Sequence, residues 1–449
     1  MSESNGPAAA ETISSAEDAG CGPRQWRTTA LLSLFLLPST WHLTVITFNT
    51  VSPPFKCVSS PNITSCRADN ETFCTKWRFD VTQSNTIISE WDLICENEYL
   101  ISLAKLAFLL GVGLGGIISG ILSDRLGRRK ILTIALTAQI LISTTIAFAP
   151  TLLVYNVLRF ALGWSCVSVI ITSFVLCMES VADRTMAGIL FHVTVPLGYL
   201  TLAGLAFLLR NWRHLQLAIT FPTLLLYGVI YVVPESPQWL RSDATQAQPL
   251  ALVRTPRMRT VSALIWLLWL VVYIGYFGIV LNMGSIAGDI YLNTLFAGLM
   301  ELVAIILSLP LLQKMGRRFT FICVLAAGGL CSACAGALIA STFSTVLVVL
   351  ARSCLSIAYV GLPLYTSELF PTVVRNIGVG FSNFFAGLAL VLVSHLWELA
   401  ALAEGLPLFA VGALAALGAA SVLFLPETLN KKLQDTVEEF ESEAKRSEG

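Results

Sequence analysis

The sequence predicts an all-α polytopic membrane protein, with twelve transmembrane helices in two six-helix halves. Three observations carry that prediction. The composition is too apolar for water, the apolar residues fall in blocks of bilayer length, and short charged motifs recur once per half. Of 449 residues, 55% are hydrophobic and 12% charged, with a mean hydropathy of +0.74. A soluble domain carries roughly 25% charged residues. The 28 basic and 28 acidic residues cancel, so no net field draws the chain to nucleic acid. Soluble catalysis and a small secreted disulfide scaffold are equally disfavoured. The lipid bilayer is the partner this composition requires.

About 20 predominantly apolar residues carry a helix across a bilayer. Twelve segments qualify, at about 29–51, 99–122, 130–149, 151–177, 186–209, 214–233, 261–281, 290–312, 319–340, 343–365, 377–397 and 403–425. Runs of this length in lipid are helices, because every backbone polar group must be paired within the segment. The chain then divides into a cytosolic tail (1–28), an N-terminal half (29–233), a short cytosolic linker (234–260), a C-terminal half (261–425) and a second cytosolic tail (426–449). Residues 1–24 lack the apolar core of a cleavable signal.

Basic residues in short loops set the orientation. Arg125, Arg128, Arg129 and Lys130 follow span two; Arg241, Arg254, Arg257 and Arg259 follow span six; Lys314, Arg317 and Arg318 follow span eight. These loops share one face, the cytosol, and both termini lie with them. Arg210 and Arg213 are the exceptions. The long outer loop, 52–98, holds Cys57, Cys66, Cys74 and Cys95, enough for two disulfides in any of three pairings. It also holds two glycosylation sequons, at Asn62 and Asn70. Cys331-x-x-Cys334 reads as helix packing rather than a redox pair.

The internal repeat is carried by charged motifs. Leu126-Gly-Arg-Arg129 returns as Met315-Gly-Arg-Arg318, its glycine moving from 127 to 316. Glu179 is matched by Glu368, and Pro234-Glu-Ser-Pro237 by Pro426-Glu-Thr428. Two parallel six-helix halves are the arrangement of major facilitator transporters, with the substrate site near the midplane between them. Asp124, Arg128, Arg129, Glu179, Glu235, Arg317, Arg318, Glu368, Arg375 and Glu427 all fall at inner helix ends. Ion pairs among them would latch the cytosolic side and break as the halves rock. The alternative is topological, with basic residues orienting helices and acids neutralising them; recurrence of both signs favours the latch.

At these residues the chain resembles the organic cation/anion/carnitine transporter family of the major facilitator superfamily. The resemblance runs from about 25 to 435. It is carried by Gly120-Ile-Leu-Ser-Asp-Arg-Leu-Gly-Arg-Arg-Lys130, Asn211-Trp-Arg-His-Leu-Gln-Leu217, Pro234-Glu-Ser-Pro-Gln-Trp-Leu240 and Arg254-Thr-Pro-Arg257. Glu90-Trp-Asp-Leu-Ile-Cys95 and Glu368-Leu-Phe-Pro-Thr-Val-Val-Arg-Asn376 are the most particular motifs. Two departures stand out: a shorter outer loop, and about a dozen residues (242–253) where the family carries a helical cytosolic segment. A trimmed isoform and a minimal family member would both look like this.

Ionisable residues deep in a span are expensive, about 2.5–3.5 kcal/mol on insertion scales, and are functional hypotheses by default. Glu301, in Gly298-Leu-Met-Glu-Leu-Val303, would attract a cation if it faced an aqueous cavity. It could instead bind a proton or pair with a basic residue. The resemblance implies a pocket-lining glutamate there, a pocket tyrosine at Tyr276, and pocket positions at Phe191 and Tyr359. Their ring faces would suit amines through cation–π attraction, although aromatics in spans also simply pack. His192 is a pH-sensing or hydrogen-bonded histidine. Arg159 and Arg352 either couple to transport or, preferably, brace helices against carbonyls or a buried acid. At the family's charge-selecting position in span eleven this chain has Gly387, with Asn383 the nearest polar neighbour, so a dicarboxylate site is poorly supported.

The reading that follows is a plasma-membrane carrier of small organic cations or zwitterions. It would work by alternating access, driven by the solute gradient and membrane potential. The rivals are an organic anion or exchange carrier of the same family and, from another class, a non-transporting receptor-like protein. No enzyme constellation, metal cluster or cofactor motif is visible, and oligomeric state is not encoded legibly.

Overall fold

Among the described residues, eleven helices are long and apolar enough to cross a membrane, and Leu406–Val422 makes a shorter twelfth. In the computed structural model the described residues are 23–58, 77–80, 85–181, 184–236, 251–282, 289–338, 341–371, 374–429, 431, 434, 437 and 439–441. Spans one to six are Gln25–Asn49, Cys95–Ser123, Arg128–Ile146, Leu152–Glu179, Thr185–Leu208 and Trp212–Val232. Spans seven to twelve are Pro256–Leu281, Ile290–Met315, Arg317–Ala337, Phe343–Leu369, Ile377–Ala401 and Leu406–Val422. Two boundaries move from the sequence reading. The first helix begins at Pro23, before the expected 29. Span seven begins at Pro256 rather than 261, because proline suits the first helical turn, where its missing N–H costs nothing.

Prolines account for the breaks inside spans. A proline ring clashes with the carbonyl four residues back. Pro38 accordingly follows a turn at Leu34–Phe35, and Pro196 follows the interruption at Val193. Pro222 lies in the 3₁₀ turn Phe221–Leu225 that divides span six. After Pro310, span eight ends in a π-turn, Leu311–Met315.

The outer loop contains a small antiparallel ribbon, β1 (Phe55–Cys57) with β2 (Trp77–Phe79), which the sequence reading did not assign. Cys57 and Cys95 each take part in a disulfide. Cys66, Cys74, Asn62 and Asn70 lie outside the described residues. The loop docks on the N-terminal half through Glu90, whose carboxylate accepts from Trp212 Nε1 at 2.6 Å and from Arg213. The Asn85 N–H bonds the Arg210 carbonyl at 2.9 Å, and the Trp212 N–H bonds the Asn85 carbonyl at 3.0 Å. Arg213 also donates to the carbonyls of Ala147 and Ala149. This basic residue therefore sits on the outer face because it ties three segments together there.

The charged repeat builds the same clamp twice. Arg128 donates Nε and Nη2 to Glu179, both at 3.2 Å, and Nη1 to the Ser123 carbonyl at 3.0 Å. Arg317 makes the corresponding bonds to Glu368 at 3.1 and 2.9 Å and to the Leu312 carbonyl at 2.8 Å. Glu235 accepts the backbone N–H groups of Arg128 and Arg129 at 3.0 and 3.1 Å. Glu427 does the same for Arg317 and Arg318 at 2.9 and 3.0 Å. Each glutamate thus satisfies orphan donors at a helix N-terminus, where the helix dipole also favours negative charge. Each arginine binds the C-terminal carbonyls of the preceding span. These ion pairs lie within a half, not across the two. Arg318 donates to the Leu423 carbonyl and Arg375 to the Phe370 carbonyl. The Asp124 side chain is outside the described set.

Gly127 and Gly316 connect the paired helices at φ of 99° and 88°, a region that side chains avoid at a cost of about 1–3 kcal/mol. A Cβ on Gly316 would also meet Glu427 Oε2 at 2.5 Å. Gly316→Ala is therefore expected to lower the melting temperature of the purified protein. Gly204→Ala, in span five with open space around it, is expected to be neutral or stabilising because alanine favours helix. Thermal unfolding of both variants checks the contrast.

The carboxyl of Glu427 lies below the usual carboxylate range. Partial burial pushes it up, but the backbone N–H groups of Leu429, Arg317, Thr428 and Arg318 outweigh that effect. A carboxyl depressed by folding contributes stability above its unfolded pKa and loses it as pH falls through the folded one. Melting temperature measured against pH is expected to fall through that depressed range, and Glu427→Gln to flatten that part of the profile.

Candidate functional site

A cavity of about 290 Å³ lies between the halves, running from the clamp-bearing face to mid-depth. That volume is close to the lower end for small-molecule sites. Ser123, Arg128, Glu179, Thr185 and Arg375 line the clamp-bearing end. Rings from both halves line the deeper part: Phe174 and Phe191 from the N-terminal half, and Trp269, Tyr273 and Tyr359 from the C-terminal half. A smaller cavity of about 90 Å³ continues inward, sharing Gly116, Ile170, Tyr273, Tyr359 and Asn383 with the first.

The rings brace one another. Tyr273 meets Tyr359 edge-on at 5.3 Å and stacks on Trp269 at 5.3 Å. His192 meets Tyr359 edge-on at 5.8 Å across the boundary between halves. Its Nδ1 lies 2.7 Å from the Gly188 carbonyl, which places the ring proton on that nitrogen. Asn383 donates to the Val379 carbonyl at 3.0 Å. Of the pocket residues expected from sequence, Phe191, His192, Tyr359 and Asn383 line the cavity.

Glu301 and Tyr276 do not line it. Glu301 is 1% exposed and forms an ion pair with Arg352, which is 2% exposed. Its carboxylate also accepts from the Tyr276 hydroxyl and, at 3.4 Å, from Ser356. The physical reason is desolvation. A carboxylate at this depth needs a counter-charge, and Arg352, two helices later in sequence, supplies it. This corrects the expectation of a cavity-facing carboxylate and agrees with bracing for Arg352. Tyr276 instead stacks flat on Tyr359 at 4.7 Å, so the acid touches the cavity only through a ring behind its wall.

That cluster also joins the halves. The Tyr199 hydroxyl of span five lies 3.1 Å from the Tyr276 hydroxyl, and the Arg352 guanidinium sits 4.6 Å over the Tyr199 ring. Nearer the outer loop, Lys105 donates to Asn282 at 3.3 Å, again between halves. At the clamp-bearing face, Arg317 reaches Thr185 of the N-terminal half at 3.3 Å. Gly387 contacts span two directly: a Cβ there would lie 2.5 Å from Gly113 Cα. In this arrangement any side chain at the family's charge-selecting position collides with the other half.

Sequence reasoning missed Phe174, Trp269 and Tyr273. Trp269, Tyr273 and Tyr276 follow at i, i+4 and i+7, which is one helical face, so the spacing was available. It did not reveal which members of that face meet the cavity.

The fold and the cavity between its halves define a membrane transporter of the Major Facilitator Superfamily, whose family model matches residues 95–394. Within it, the chain belongs to the organic cation/anion/carnitine transporter family. It is 30% identical over 414 residues to the beta-alanine transporter of Drosophila melanogaster, covering 82% of this chain and 68% of that one. The organic cation/carnitine transporter 2 of Mus musculus is 30% identical over 419 residues (83% and 75%). The organic anion transporter 3 of Sus scrofa is 30% identical over 434 residues (86% and 79%). Among solved structures, the proton:xylose symporter XylE bound to 6-bromo-6-deoxy-D-glucose superposes with a TM-score of 0.68 at 19% identity, covering 91% of this chain and 97% of that one. The inward open conformation of XylE from E. coli gives 0.67 at 18% identity, covering 93% and 99%.

Removing one member of a buried ion pair leaves an uncompensated charge and costs about 3–5 kcal/mol. Glu301→Gln and Arg352→Gln are each expected to lower the melting temperature sharply, and the double variant to recover much of the loss. A thermal double-mutant cycle measures that coupling.

Proposed function

We propose that the chain carries small organic cations or zwitterions across the plasma membrane, with both termini and the two arginine–glutamate clamps in the cytosol. The observation that carries this reading is the aromatic wall contributed by both halves, deep in a cavity whose acid Glu179 is already paired with Arg128. With Glu301 sealed behind Tyr276 and Tyr359, ring faces rather than a carboxylate receive the cationic centre. Such contacts favour weakly hydrated ammonium groups, at about 0.5–2 kcal/mol each. The carboxylate of a zwitterion would point to the arginine-bearing mouth.

The cavity reaches the clamp-bearing face while Lys105–Asn282 and Tyr199–Tyr276 join the halves towards the outer loop. The state is therefore inward-facing, and these outer contacts are those that part in the outward-facing state. The clamps hold each half rigid as it rocks. No hydrolytic step is required: the membrane potential is worth about 2.3 kcal/mol per charge per 100 mV.

Uptake into expressing cells of a labelled quaternary ammonium, a quaternary-ammonium zwitterion and an aromatic carboxylate tests the reading. Cation uptake is expected to fall on depolarisation, and zwitterion uptake to be insensitive to it. Tyr359→Leu is expected to raise KM about 5- to 30-fold, the equivalent of 1–2 kcal/mol, while Tyr359→Phe, which keeps the ring, stays near wild type. Uptake of the carboxylate alone, unaffected by Tyr359→Leu, would overturn it in favour of an anion carrier.

A further inference from the structure

Arg159 in span four is fully buried, and among the described residues no Asp or Glu pairs with it. Its Nη1 donates to the His42 carbonyl at 2.9 Å, and its guanidinium lies 4.3 Å over the Phe108 ring. Its Nε and Nη2 have no partner. The contrast with Arg352 is direct: at similar burial, that arginine has Glu301. A permanently charged group without a counter-charge in a low-dielectric interior carries a penalty of several kcal/mol, which a polar ring face offsets only in part.

The surroundings are short of acceptors and rich in unused donors. His42 Nε2, Gln139 Nε2 and the Tyr155 hydroxyl are all buried and unpartnered, as is Gln139 Oε1. They come from three helices of the same half, spans one, three and four. His42 of span one holds Arg159 through its carbonyl and lies 3.5 Å from Gln216 of span six. Gln216 Nε2 is 3.4 Å from the Ser143 carbonyl, one turn along span three from Gln139. Tyr155 is one turn before Arg159 on span four. A buried cation with two unused N–H groups, in a half that also buries N–H and O–H donors no protein acceptor uses, has the chemistry of an anion site.

We propose that the N-terminal half holds a small monovalent anion, chloride under cellular conditions, against Arg159 Nε and Nη2, with Gln139, His42 and Tyr155 as supporting donors. All three helices belong to one half, and none of these side chains lines either cavity. The ion therefore moves with its half and is not cargo. It neutralises the buried charge and holds spans one, three and four together. The inference does not depend on which organic ion is carried.

The test uses the full chain purified into nanodiscs. Radiolabelled chloride is expected to bind saturably, to be displaced by bromide but not by gluconate, and to raise the melting temperature as its concentration rises, as a ligand of the native state must. Arg159→Gln removes the charge and is expected to abolish both effects. Gln139→Leu, which keeps the arginine, is expected to weaken chloride binding severalfold and so gives an answer if Arg159→Gln does not fold. Folded wild-type protein that binds no chloride would overturn the proposal, with water as the occupant. So would chloride binding that neither substitution alters, since the ion would then lie elsewhere.

Discussion

Glu301 sits where the two halves meet, and its ion pair with Arg352 sets what the surrounding structure can be. Neither charge is tolerable alone in that interior, so the two side chains lock spans eight and ten together. The carboxylate also takes the Tyr276 hydroxyl, which reaches Tyr199 in the other half and presents its ring to Tyr359. Neutralised in this way, the acid stays out of the cavity, whose deeper wall is lined by aromatic faces. The same pair anchors the contacts that join the halves towards the outer loop. Charge compensation and the aromatic character of the cavity wall thus meet in one buried interaction.

The arginine–glutamate clamps at the opposite face obey the same rule at a wetter depth. Each guanidinium satisfies a carboxylate and a helix C-terminal carbonyl, while a second glutamate caps the next helix. These are the groups a helix end must otherwise leave unpaired. Both ion pairs fall within one half, so the repeat stiffens each half separately, and Arg317 adds a hydrogen bond to Thr185 of the other half. The described part of the outer loop is fixed to the N-terminal half through Glu90 and Arg213.

Much of this was legible in the sequence. Bilayer-length apolar runs must be helices, so the spans and their order followed from composition; the twelfth is short but present. The charged repeat marked these residues, but the sequence reading took their ion pairs for a latch between the halves, whereas Arg128–Glu179 and Arg317–Glu368 each pair within one half. Phe191 and Tyr359 were placed by family resemblance, His192 as the neighbour of Phe191 and Asn383 as the polar residue nearest Gly387, and all four line the cavity. Glu301 was misplaced because its neighbours in sequence are apolar, while its partner lies 51 residues away. The exception to the charge rule at Arg213 had the same origin, a partner in Glu90 that only folding brings near.

The sequence by itself determined the class of protein, the number of helices and the two-half plan. These depend on transfer of each segment into lipid, a property local to about 20 residues. Only the tertiary structure decided which charges neutralise which, which face of span seven meets the cavity, and that Gly387 is a contact between halves rather than an open selectivity position. Those depend on atoms a few ångströms apart in space and far apart in sequence, and the rotation of a helix about its axis is fixed by its neighbours, not by its own composition.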